Sequence, residues 1–180
     1  EPLEELGGKT PLEVAKKPNM DMIAKKGRCG MLKTVDESMT PGSDVANMSI
    51  LGYDPEKYYT GRGALEALSM GVPFGEDDMA YRCNLVTIEN GKMKDFAAGH
   101  ITSEEGAELF KSLQEKVPGL KFYPGVSYRN VMMFPGGKGV ESYPPHDIVD
   151  EVVDNYMPKG PDAETVMKAM VRAADVFENH

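Results

Sequence analysis

Apolar and polar positions along the 180-residue chain change period several times. Strict alternation marks 79–88, where Tyr81, Cys83, Leu85 and Thr87 fall on one side and Ala80, Arg82, Asn84, Val86 and Ile88 on the other. This predicts a strand. Asn90-Gly91 follows as a hairpin signal, with Lys92 to Phe96 as the return strand. Ala107, Phe110, Leu113 and Val117 recur at helical spacing behind Thr102-Ser103-Glu104-Glu105, a capping box. Leu120–Tyr123 and Tyr128–Phe134 read as two further strands. A last helix over about 162–177 carries Val166, Met170, Ala173 and Phe177 on one stripe.

The first third is less periodic. Thr10-Pro11-Leu12-Glu13 is a second capping box with proline at the first helical position, and Pro18 is expected to end or break that helix. A short helix is expected from Asn19 to Gly27, another from Ser43 or Asp44 to Leu51, and a third from Ala64 to Met70, closed by Gly71. Pro135 to Gly139 is a glycine-rich loop, and Pro144-Pro145-His146-Asp147 reads as extended and turn-like. The fold class expected is α+β, with helices packed on a mixed, mainly antiparallel sheet of about four strands. The spacing through 79–96 is too short for parallel crossovers.

Composition narrows the function. Hydrophobic residues make up 41% and charged residues 27%, enough for a packed core in a soluble chain. The net charge of −9 comes with no basic run, which argues against nucleic acid as a partner. No apolar run reaches membrane-spanning length. Cys29 and Cys83 match no metal spacing and fit reduced thiols, hence a cytoplasmic setting. An acidic protein can still hold a small anion if a few arginines gather in one place.

Several residues could serve that purpose. Ser43 follows Pro41-Gly42 and opens a helix, where unpaired N–H groups favour a phosphoryl group; it serves equally as a plain cap. Arg62 stands between Gly61 and Gly63, in a turn that a ligand could approach. Arg82 lies mid-strand beside Asn84 and needs either a buried carboxylate or a bound anion. Arg129 opens a strand, and its guanidinium fork suits carboxylate or phosphate. His100 precedes a helix cap and His146 precedes Asp147; each is also read as an exposed structural histidine.

Taken together, Pro2-Leu3-Glu4-Glu5-Leu6-Gly7-Gly8-Lys9-Thr10-Pro11, Pro41-Gly42-Ser43-Asp44-Val45-Ala46, Leu51-Gly52-Tyr53-Asp54-Pro55, Tyr59-Thr60-Gly61-Arg62-Gly63, Tyr81-Arg82-Cys83-Asn84 and Ala98-Gly99-His100-Ile101 resemble the archaeal-type cofactor-independent phosphoglycerate mutases of the alkaline phosphatase superfamily. The resemblance spans nearly the whole chain. It implies interconversion of 2- and 3-phosphoglycerate through a phosphoserine at Ser43. Arg62, Arg82, Asn84, His100, Arg129 and His146 would grip a small phosphorylated carboxylate.

The family also uses divalent metal ions, Mn²⁺, Mg²⁺ or Zn²⁺, with Ser43 as one ligand. The remaining metal ligands are expected outside residues 1–180, so the rest of the protein is an expected partner. The chain by itself is expected to bind no metal and to be inactive. By the resemblance, 1–52 is a core-derived segment with the nucleophile and 53–180 an inserted substrate-binding domain in an α/β core. The alternatives are a related phosphotransferase of the homoserine-kinase kind, or a non-catalytic module binding phosphorylated carboxylates.

Overall fold

The computed structural model describes residues 1–73 and 75–180. They form two compact units, Glu1–Tyr58 and Tyr59–His180.

The first unit contains four short helices, α1 (Pro11–Val14), α2 (Pro18–Lys26), α3 (Ser43–Ile50) and α4 (Pro55–Tyr58). Thr10 and Glu13 form the expected capping box. Pro18 does not break α1, which has already stopped at Val14. It opens α2 instead, at a position where its missing N–H costs nothing. The fourth helix, α4, went unrecognised because four residues carry no periodicity. Val45 is the one buried side chain of this unit.

The second unit is layered. Strands β1 (Met79–Asn84), β4 (Lys121–Val126) and β5 (Arg129–Phe134) form an antiparallel sheet in the order β1-β5-β4. Strands β2 (Thr87–Glu89) and β3 (Lys92–Asp95) form a separate antiparallel ribbon. The architecture is α+β and antiparallel, with its strands divided between these two sheets.

The alternating run at 79–88 is thus two strands. After Asn84 the chain leaves the sheet: the Leu85 N–H donates to the Tyr128 carbonyl (2.9 Å), and its side chain is buried in the core. The turn joining β2 to β3 has positive φ at both Asn90 (+53°) and Gly91 (+74°), the backbone that an Asn-Gly hairpin favours.

Alternation assigns the faces of the three-stranded sheet. Tyr81, Cys83, Phe122 and Met132 face helices α6 (Ser103–Gln114) and α7 (Ala163–Glu178), where they join Leu85, Phe110, Leu113 and Ala169. Ala80, Tyr123, Val131 and Met133 face helix α5 (Arg62–Ser69) and its Ala67. The close seating of α5 requires Gly63, since a Cβ there would stand 2.0 Å from the Ala80 carbonyl oxygen. On α7 the buried stripe passes through Ala169, and Met170 is left 42% exposed. Ala169 and Met170 both fit an apolar pattern, so the exact rotation of that helix depended on packing.

Candidate functional site

Ser43 is the first residue of α3, after Gly42 in extended conformation (φ −162°). The cap residue, Gly42, has no side chain to cap the helix, and the Ser43 side chain is exposed. Val45, buried two residues later, anchors the helix, and Ala46 N–H to Gly42 O (3.0 Å) begins its ladder. The first-turn N–H groups of such a helix carry the positive end of its dipole, which favours an anion near Ser43.

In the second unit, the antiparallel register sets Asn84 opposite Arg129 and Arg82 opposite Val131. Directly opposed residues share a face. Arg82, Asn84 and Arg129 therefore lie on one side of the sheet, the α5 side. Glu66 of α5 supplies Arg82 with a carboxylate, Nε to Oε2 at 2.9 Å. Nε is buried, and the contact is an ion pair without the alignment of a hydrogen bond. The strand arginine thus takes the ion-pair alternative raised by its position. Asn84 Oδ1 is buried with no hydrogen-bond partner among the described residues, so it is an acceptor open to a donor. Arg129 is exposed. Arg62 is exposed too, at the N-terminus of α5 after Gly61 (φ +110°).

Arg129 borders a tight turn on which other candidates converge. Strand β4 bulges at Pro124-Gly125, where the pairing register shifts. A Cβ on Gly125 would stand 2.3 Å from the Arg129 carbonyl oxygen. The buried Asn130 clasps the bulge, its Oδ1 accepting from Gly125 N–H (2.9 Å) and its Nδ2 donating to the Tyr128 carbonyl (3.0 Å). Ser127 adopts φ +56°, a cost for any residue but glycine. Two bonds offset it: Ser127 N–H to Ser103 Oγ (3.0 Å), and Ser127 Oγ to the Ile101 carbonyl (2.6 Å). These bonds pin the turn beside His100.

His100 ends a left-handed turn. Ala98, Gly99 and His100 have φ of +49°, +66° and +59°. Left-handed geometry costs a non-glycine residue about 1–2 kcal/mol. Asp95 holds it in place by accepting from Ala97 N–H (2.8 Å) and Gly99 N–H (2.6 Å). Those two bonds, with a smaller contribution from His100, pull the Asp95 carboxyl below its ordinary 3.8. A cleft of about 470 Å³ opens beside this turn, lined by Gly99, His100, Ile101, Glu105, Glu108 and His180. Its two carboxylates disfavour an anion.

His146 lies in a short 3-10 turn, Pro145–Asp147, that follows Pro144 in extended conformation. Backbone bonds bring this segment to β3: Met93 N–H to Glu151 O (3.0 Å) and Asp150 N–H to Met93 O (2.8 Å). Phe96, just past β3, meets His146 edge-on with ring centroids 6.2 Å apart. Phe96 also meets Tyr128 edge-on at 6.0 Å, and the Arg129 guanidinium stands 5.7 Å from the Tyr128 ring centre. A chain of contacts thus runs from Arg129 through two aromatic rings to His146. Phe96, Tyr128, Ser127 and Asp95 were not anticipated: Phe96 and Ser127 act through neighbours distant in sequence, and Asp95 through Ala97 and Gly99 of a turn that no pattern announced.

Among the described residues, no group of three or more His, Cys, Asp or Glu side chains could hold a metal ion. The described residues therefore do not supply a divalent-metal site by themselves. Among the described residues, no helix is long and apolar enough to cross a membrane.

The model of the family described as 2,3-bisphosphoglycerate-independent phosphoglycerate mutase matches residues 24–180. A protein of that name from Methanothrix thermoacetophila is 54% identical over 179 residues, covering 99% of this chain and 46% of its own length. A probable one from Geobacter sulfurreducens is 46% identical over 187 residues, covering 100% and 47%. Among solved structures, a cofactor-independent phosphoglycerate mutase from Thermoplasma acidophilum is 28% identical with a TM-score of 0.55, covering 100% of this chain and 50% of that one. A protein from Pyrococcus horikoshii is 29% identical with a TM-score of 0.63, covering 99% and 42%. The chain spans about half the length of these relatives, at 46% and 47%. A match of this extent, over both the serine segment and the layered unit, means that the chain belongs to the 2,3-bisphosphoglycerate-independent phosphoglycerate mutase family.

Proposed function

We propose that this chain is the serine- and substrate-bearing part of a phosphoglycerate mutase, acting in glycolysis and gluconeogenesis in the cytoplasm. Ser43 Oγ attacks the phosphorus of 3-phosphoglycerate or 2-phosphoglycerate. Its proton leaves as the new P–O bond forms, and the old bond to the glycerate oxygen breaks. That oxygen takes up a proton, the free glycerate turns over, and its other hydroxyl attacks the phosphoserine. Ser43 is regenerated. The names of the relatives favour this reading over the kinase-like and non-catalytic alternatives.

In this reading Arg129, Asn84 and Arg82 grip the substrate from one sheet face, with Arg62 and His146 assisting; the cleft beside His100, with its two carboxylates, suits an anion less well. Arg129 is suited to a carboxylate or phosphate because its fork is exposed yet already stacked on Tyr128. Asn84 Oδ1, buried without a partner, suits a glycerate hydroxyl. Arg82, committed to Glu66, acts through charge rather than as a free fork. The metal ions that the family reading requires would draw their other ligands from the rest of the protein.

The observation that carries the proposal is the exposed hydroxyl of Ser43 at a helix N-terminus, in a chain of this family. In the full-length protein incubated with 3-phosphoglycerate, mass spectrometry should find phosphate on the Ser43 peptide. Ser43→Ala should lower turnover by roughly a thousandfold or more, as removal of a covalent nucleophile does. Retention of wild-type turnover by that variant refutes the proposal.

A further inference from the structure

We propose that Phe96 is a positioning residue, a ring that holds His146 directly and Arg129 through Tyr128 in place for one anionic ligand. This rests on the reading of those two side chains as ligand-gripping groups.

Arg129 is long and exposed, and ordering such a side chain on binding costs conformational entropy. The Tyr128 ring beneath its guanidinium removes part of that cost in advance, with 5.7 Å to the ring centre falling within cation–π range. The Tyr128 ring packs against the buried core of the second unit. Phe96 holds it edge-on, with centroids 6.0 Å apart and planes at 79°. The same Phe96 ring meets the His146 imidazole at 6.2 Å and 68°. The neighbour of His146 on its other side is Asp147, Nε2 to Oδ1 at 3.6 Å. One side chain without a polar atom thus joins a cation from β5 to an imidazole of the Pro145–Asp147 turn.

A plain core role fits Phe96 poorly. It is 37% exposed and belongs to neither buried cluster of the second unit. The backbone bonds between β3 and residues 150–151 bring the segments together without it. Its removal should therefore disturb ligand binding more than stability.

The test is made on the full-length enzyme. In Phe96→Ala, KM for 3-phosphoglycerate should rise roughly two- to tenfold, the span of one or two edge-on or cation–π contacts. Turnover at saturation and phosphorylation of Ser43 should change little. Phe96→Tyr should restore KM, and Phe96→Leu, apolar but without a ring, should not. In NMR spectra without substrate, the His146 imidazole protons should lose their ring-current shift in Phe96→Ala. An unchanged KM in Phe96→Ala, or rescue by leucine as complete as by tyrosine, overturns the proposal. So does a loss of thermal stability with KM unmoved. If Ser43→Ala proves fully active, the mutase reading fails. The His146 shift then still reports whether Phe96 orders its neighbours, so the two failures remain distinct.

Discussion

Residues 1–58 and 59–180 contain similar local signals and very different interiors. Each unit opens a helix with a complete capping box, Thr10 with Glu13 and Thr102 with Glu105. Behind the second box stand Phe110 and Leu113, each 2% exposed, in a core shared by sheet and helices. Behind the first stands nothing comparable: Ile23 is 66% exposed, Leu32 72% and Met31 102%. Local chemistry starts a helix, but burial of an apolar face keeps it. The layered unit thus holds its candidate residues on a packed scaffold, whereas the unit with Ser43 holds its serine on a helix anchored by Val45 alone.

The strongest contrast should come from the two cysteines. Cys29 is exposed, and burial pushes the Cys83 thiol up to about 12. Its thiolate fraction near neutral pH falls by roughly a thousandfold relative to an ordinary thiol. Alkylation followed by peptide mass spectrometry should label Cys29 at once and Cys83 only after denaturant unfolds the layered unit. Equal labelling in the native protein breaks the comparison.

Truncation of the cores should separate the units further. Phe110 packs against Phe122 and Phe177 at 5.7 Å and 6.3 Å. Phe110→Ala should cost about 3–5 kcal/mol in denaturant unfolding. Ile23→Ala should stay within about 0.5 kcal/mol, as exposed substitutions do. A loss at Ile23 rivalling that at Phe110 would mean that the first unit shares the cooperative core.

The capping boxes give the smallest and sharpest test. Thr102→Ala should lower the stability of the layered unit by about 1 kcal/mol, and Thr10→Ala should leave its unfolding midpoint unchanged. Thr102 holds the Glu105 carboxyl below its ordinary 4.5, through bonds from its backbone N–H and then its hydroxyl. A carboxyl depressed in the folded state stabilises above its unfolded value and loses that effect as pH falls through the folded value. The gap between wild type and Thr102→Ala should therefore be full above about pH 4.5 and narrow below it, leaving the share of the pH-independent bond from Glu105 N–H to Thr102 Oγ. A gap of unchanged size in acid would mean that the bond from the Thr102 hydroxyl to the Glu105 carboxylate contributes nothing.

Much of the fold was legible because its signals are short-ranged. The Asn90-Gly91 turn, both capping boxes and the start of α3 at Ser43 follow from a few adjacent residues. The sheet face shared by Arg82 and Asn84 follows from simple alternation. The limits had equally physical causes. Alternation continues through Leu85 although the chain changes sheets there, because a buried leucine fits the pattern either way. Pro18 reads as a helix breaker or a helix opener according to where the preceding helix has already stopped.

The sequence by itself determined the family and the antiparallel α+β class, and it singled out the residues proposed to hold a phosphorylated acid. Tertiary structure alone decided their surroundings: Glu66 for Arg82, the strained turn that presents His100, and the rings that join Arg129 to His146. The division has one cause. Turn and cap preferences arise between neighbours along the chain, whereas ion pairs, ring contacts and backbone strain exist only once distant segments are packed together.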